Sequence, residues 1–97
     1  MFVIRDTFRC KPGKSKELVA KFKTAAPHFE ELGVHQFRVL VDRVGHFWTV
    51  VLESEVESVE EYWRAVESRG NLPAVRDAMA GYMDLVVKGK REIFQLE

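Results

Sequence analysis

Few residues in this chain combine a reactive side chain with a setting that could use it. Asp6 falls on the apolar parity of Phe2, Ile4 and Phe8 in the first strand-like run, where an unpaired carboxylate is costly to bury. It either pairs with an arginine on a neighbouring strand, such as Arg38, or sits at an exposed strand end, or serves as a pocket base with a raised pKa. His28 follows Pro27 on the flank of a helical pattern. It reads as a surface imidazole or as an acid–base group at a pocket edge, since histidine titrates near neutrality. Cys10 is the single cysteine. It is a strand-end residue without chemistry, or a thiol made reactive by Lys11 beside it. Phe22, Phe29, Trp63, Met79 and Tyr82 are expected on the sheet-facing sides of helices, where an aromatic stripe suits a flat apolar ligand as well as a plain core.

Other chemistries find no support. His28, His35 and His46 are dispersed, with no acidic residue at fixed spacing, so no metal site is expected. The glutamates at 53, 55, 57, 60 and 61 read as a solvated loop and helix start, favourable near a helix N-terminus. No phosphate loop or nucleophile motif is present, and no cofactor is expected.

The elements that must position these residues fit one domain, 1–97. Fifteen basic residues balance fifteen acidic ones, and no basic run is interleaved with aromatics, so nucleic acid and anionic membranes are not expected partners. No apolar stretch approaches the roughly 20 residues that span a bilayer. Met1-Phe2-Val3-Ile4 runs at once into Arg5 and Asp6, unlike a signal peptide, and with one cysteine this predicts a cytoplasmic location.

Alternation predicts a strand from Phe2 to Arg9, ended by Lys11-Pro12-Gly13-Lys14. Leu18, Phe22, Ala25, Phe29 and Leu32 then step by helical spacing, predicting a helix from Ser15 to Leu32, kinked or broken near Ala26 by Pro27 and ended by Gly33. A strand from Val34 to Arg43, a short turn at 42–45 and a strand from His46 to Ser54 make a hairpin. Ser58-Val59-Glu60-Glu61 is a capping box opening a second helix with Val59, Trp63 and Val66 as its buried stripe. Arg69 to Pro73 interrupts that helix, with Asn71 as the cap of its second part. The last strand runs from Leu85 to Leu96, with Gly89 marking a bulge or a close backbone approach.

The order β-α-β-β-α-β is an α+β, ferredoxin-like arrangement with a four-stranded antiparallel sheet. Both helices then cover one face of the sheet, and the other should read polar. It does not read cleanly so: Trp48, Val50 and Leu52 take one parity of the third strand, Phe47 and Val51 the other, while the last strand splits Ile93 from Phe94 and Leu96. Large apolar groups on an open sheet are an aggregation liability, and a second copy packed sheet to sheet removes it. A homodimer is expected.

Two phrases carry a family likeness: Arg5-Asp6-Thr7-Phe8-Arg9 followed by Pro12-Gly13-Lys14, and Val50 to Ser58, where an acidic strand end leads into a capped helix. In these and in overall layout the chain resembles the dimeric α/β-barrel superfamily, nearest its antibiotic-biosynthesis-monooxygenase and NIPSNAP-like groups. The resemblance implies a dimeric barrel of two four-stranded sheets, with a pocket between each sheet and its helices. It also implies cofactor-independent, monooxygenase-like or isomerase-like chemistry on a small apolar or aromatic metabolite, with Trp63 and Tyr82 shaping the pocket and Asp6 or His28 moving a proton. The alternative is a non-catalytic small-molecule-binding or interaction module. Haem-degrading relatives place a histidine on the second helix and an asparagine on the first strand. This chain has no histidine after His46, and its only asparagine is Asn71, so Trp63 alone matches their set. Many monooxygenase-like relatives carry a histidine between the two parts of the second helix; Ser68 to Pro73 here lacks it.

Overall fold

The computed structural model describes residues 1–69 and 72–97. Four strands, β1 (Phe2–Cys10), β2 (His35–Val41), β3 (Thr49–Val56) and β4 (Val86–Gln95), form one antiparallel sheet in the order β2-β3-β1-β4. Three helices, α1 (Ser15–Glu31), α2 (Val59–Arg69) and α3 (Pro73–Ala78), lie on one face, and a 3₁₀ turn at Tyr82–Asp84 leads into β4. The arrangement is ferredoxin-like, as the element order implies.

Strand parity decides which side chains the helices cover. Ile4, Asp6 and Phe8 of β1 stand opposite Ser54, Leu52 and Val50 of β3 and opposite Ile93, Arg91 and Gly89 of β4. The covered face holds two apolar clusters. Ile4, Val34 and Val56 pack with Tyr62 and Ala65 of α2 at one end. Cys10, Val50 and Leu85 pack with Leu18 and Phe22 of α1 at the other. Burying side chains such as Ile4, Leu18, Val50 and Val56 contributes about 1.5–3 kcal/mol each. Asp6 lies along β1 between the two clusters.

Local structure departs from the sequence expectation in three places, at Pro27, in the β2–β3 loop and on α2. Helix α1 passes unbroken through Pro27 to Glu31. Pro27 and Lys23 are both on the exposed side, so water can reach the carbonyl that loses its donor. Gly33 does adopt the left-handed conformation, φ 90°, and its N–H donates to the Glu30 carbonyl at 3.1 Å. The hairpin loop is longer than the expected turn. Trp48 has φ 62°, which breaks the alternation, so β3 starts at Thr49 rather than His46. Asp42 Oδ1 accepts from the Thr49 N–H at 2.9 Å and closes that loop.

On α2 the buried stripe is rotated from Val59, Trp63 and Val66 to Tyr62 and Ala65, with Val66 half-buried; Trp63 is 45% exposed. The capping serine is as expected, with Ser58 Oγ accepting from the Glu61 N–H at 3.0 Å. Pro73 starts α3 after Leu72; the expected Asn71 cap lies outside the described residues. Gly89 marks a close approach and not a bulge. A β-carbon there would stand 3.2 Å from Phe8 Cδ1, and the strand register shifts instead at Arg9/Cys10.

Candidate functional site

The covered face of the sheet does not fill completely. Between it, α1 and the α3–3₁₀ segment lies a cleft of about 560 Å³. Its apolar wall comes from Phe8 and Leu52 on the sheet, Phe22 and Phe29 on α1, and Met79 and Tyr82 opposite. Phe22 and Phe29 reach it because α1 turns its apolar stripe to the sheet. The Phe8 and Phe22 rings meet at 5.3 Å, while Phe29 stacks on Phe37 at 5.5 Å, so the walls are braced by aromatic contacts. Lys21 fixes the far wall to α1, its Nζ donating to the Ala80 carbonyl at 2.6 Å.

The polar part of the cleft is an ion pair. Asp6 is 7% exposed and accepts at both oxygens from one guanidinium, Arg91 Nε to Oδ1 at 2.8 Å and Nη2 to Oδ2 at 3.2 Å. The two residues are direct cross-strand partners, which sets the fork without bending either strand. Arg91 also lies 5.2 Å from the Tyr62 ring centroid and 5.9 Å from that of Trp63. Burial acts against the Arg91 charge, but the Asp6 hydrogen bonds and charge outweigh it, and the pKa of Arg91 is raised. Arg76, on the exposed side of α3, supplies a second cation at the rim.

Of the residues expected at a site, Asp6, Phe22, Phe29, Met79 and Tyr82 meet in this cleft. His28 and Trp63 do not line it. His28 is half-buried in the last turn of α1, and Trp63 reaches the site only through Arg91. Asp6 is paired, as one reading allowed, but with Arg91 and not Arg38. β2 is not adjacent to β1, and Arg38 points to the opposite face, where it binds Glu53. Arg91 was missed, although the parity of Gly89, Arg91 and Ile93 was available to put it on the Asp6 side. His46 lies in the β2–β3 loop, where its Nδ1 accepts from Arg9 Nη1 at 2.6 Å. Cys10 is buried, and burial pushes its thiol pKa up, away from reactivity. Among the described residues, no group of His, Cys, Asp and Glu is placed to hold a metal ion, and no helix is long and apolar enough to cross a membrane.

The open face of the sheet is mixed. Val3, Val51, Leu40 and Phe94 alternate with charged residues, and Glu53 is buried there between Arg5 and Arg38. Arg5 lies 5.2 Å from the Phe94 ring centroid. A shallow concavity of about 580 Å³ runs over Thr7, Val51 and Lys90.

No family model and no curated protein matches the chain. Solved structures do. A NIPSNAP-like domain protein from Burkholderia xenovorans superposes with a TM-score of 0.82 at 14% identity, over 99% of this chain and 84% of that one. A NIPSNAP family protein of unknown function from Agrobacterium tumefaciens gives 0.83 at 13% identity, over 99% and 87%. A putative antibiotic biosynthesis monooxygenase from Chloroflexus aurantiacus gives 0.73 at 18%, over 99% and 93%. The fold is therefore that of NIPSNAP-like and antibiotic-biosynthesis-monooxygenase-like proteins. At these identities the likeness concerns the fold alone.

Proposed function

We propose that this chain binds a small, mostly apolar metabolite in the cleft between the sheet and α1 and α3. The observation that carries this reading is the cleft itself: about 560 Å³, walled by aromatic and aliphatic side chains with a few polar groups, the Asp6–Arg91 pair and Arg76. Monooxygenase-like or isomerase-like turnover without a cofactor is the second reading, favoured by the ion pair facing the cleft and by the fold shared with the Chloroflexus protein. For Asp6 to move a proton it must first give up one of its two bonds to Arg91. We further propose a homodimer closed through the open sheet face, on the strength of Leu40 and Phe94 exposed there beside the half-buried Val51, and a cytoplasmic location, which suits a free buried cysteine.

Native mass spectrometry of freshly purified protein tests dimer and ligand together. A dimer carrying extra mass is the expected result. A monomer at micromolar concentration overturns the dimer. Titration with apolar aromatic probes, with Met79→Trp as a variant that fills the cleft, tests the site. The binding reading is lost if no probe binds, or if the filled variant binds as well as the parent. Oxygen uptake with electron-rich phenols separates the enzyme from the binding module.

A further inference from the structure

We infer that the cleft selects monoanionic ligands, an apolar, flat body carrying one carboxylate or similar oxyanion, with Arg91 and Arg76 as the anchors. This rests on the cleft being a ligand site and names the chemistry of its ligand.

Charge is the first ground. Three ionisable side chains of fixed charge line the cleft: Asp6, Arg76 and Arg91. Asp6 and Arg91 cancel, and Arg76 makes no ion pair among the described residues. Lys21 adds a further cation at the wall through Ala80. A positive charge left uncancelled at the rim of an apolar cavity favours an anion there, and because Arg76 is exposed that preference falls as salt is raised.

Donor capacity is the second ground. A guanidinium offers five N–H donors in a fixed fork. Arg91 spends Nε and Nη2 on Asp6, which holds the group in place, and Nη1 makes no hydrogen bond among the described residues. Asp6 accepts one bond at each oxygen and keeps further lone pairs, but its charge is already matched by Arg91. The cleft thus presents unspent cationic donors beside a neutralised carboxylate. A ligand carboxylate satisfies those donors; a ligand ammonium meets a carboxylate without net attraction among the cations Arg91, Arg76 and Lys21. Tyr62 and Trp63 stand close to the Arg91 guanidinium and limit its reorientation, so the pair is a prepared anchor.

The test is a matched series of probes on one ring system: 2-naphthoate, its neutral amide and 2-naphthylmethylammonium, titrated calorimetrically into the full chain near neutral pH. The naphthoate should bind about tenfold more tightly than the amide, the value of one charge-assisted hydrogen bond, and the ammonium most weakly. Arg91→Lys keeps a charge beside Asp6 but loses the fork, and should remove most of the naphthoate preference while sparing the amide. Arg76→Gln, on an exposed position that leaves folding intact, should lower naphthoate affinity several-fold and leave the amide unchanged. Equal affinities for naphthoate and amide, or a preference for the ammonium, overturn the anion proposal while the ligand site stands. No binding by any member of the series overturns the site and this proposal with it.

Discussion

Each face of the sheet holds one buried carboxylate, and the two are held in different ways. On the covered face Asp6 takes both bonds from a single arginine, which has donors to spare and lies at a cleft. On the open face Glu53 is shared: Arg5 from β1 donates to Oε2 at 2.8 Å and Arg38 from β2 donates to Oε1. Register makes this sharing automatic, because Arg5, Glu53 and Arg38 are cross-strand partners in a row. Burial would raise the Glu53 pKa, but the hydrogen bonds and charges of the two arginines outweigh it, and the pKa is lowered. The same ion-pair chemistry therefore has two uses. The Glu53 triad has cations reaching water on both flanks and serves to cover a carboxylate. The Asp6 pair leaves a held cation facing an apolar cavity.

The comparison is broken most severely at Arg91. Arg91→Ala leaves Asp6 without its partner; because the Arg91 side chain is itself 30% exposed and water can take its place, the loss should be about 1.5–3 kcal/mol, read from urea unfolding. Asp6→Asn/Arg91→Ala should cost less than the sum of its singles, because the carboxylate is no longer charged. A loss below about 1 kcal/mol in Arg91→Ala would show that Asp6 is solvated and not held by the pair.

Glu53 gives the next largest effect and sharpens the contrast through pH. With its folded pKa lowered, the unfolded chain binds the extra proton first as pH falls, so the stabilisation is fully present above the ordinary value of 4.5 and is lost as pH drops through the lowered one. Glu53→Gln should flatten that acid limb and cost about 1–2 kcal/mol at neutral pH. An unchanged acid limb in the variant would assign it to other carboxylates.

Gly89→Ala tests the cleft from the sheet side. The new methyl would meet the Phe8 ring at 3.2 Å, and Phe8 lines the cleft and packs on Phe22. Removing a strand glycine gains about 0.5–1 kcal/mol, while crowding costs about 1–3, so a net loss of about 1 kcal/mol is expected. Weakened probe binding should accompany it; unaltered binding would place Phe8 outside the working part of the cleft.

How much of this was legible beforehand follows from the range of the interactions involved. Strand parity and helical spacing are local, so the strand–helix order, the sheet-facing Phe22 and Phe29, and the anomaly of Asp6 could all be read directly. The partner of Asp6 could not, because it depends on strand order: β4 lies beside β1, and β2 lies one strand away. Arg38 was the more visible arginine, yet it faces the other side. Trp63 was misplaced for a different reason. Its spacing from Val59 and Val66 fits a helical stripe, but neighbouring Tyr62 and Ala65 offer a competing one, and the contact with Ile4 and Val56 selects it. At Trp48 alternation failed because a left-handed residue ends the loop, which no local pattern announces in a tryptophan.

The smallest effect separates the two faces most cleanly. Arg38→Ala removes one of two cations from Glu53, whose other oxygen keeps Arg5, and the Arg38 side chain is 63% exposed. In a monomer the cost should be near 0.5 kcal/mol, as for other solvated pairs. In the proposed dimer the same arginine is shielded by a second copy, and half of a triad would be lost from a drier setting. The unfolding free energy of Arg38→Ala relative to the parent should then depend on protein concentration. Measured across a protein concentration range that spans dissociation of the dimer, a constant difference would mean that the open face stays wet and that the triad acts within one chain. A difference that widens with concentration would show that the Glu53 triad, unlike the Asp6 pair, works at an interface between two copies.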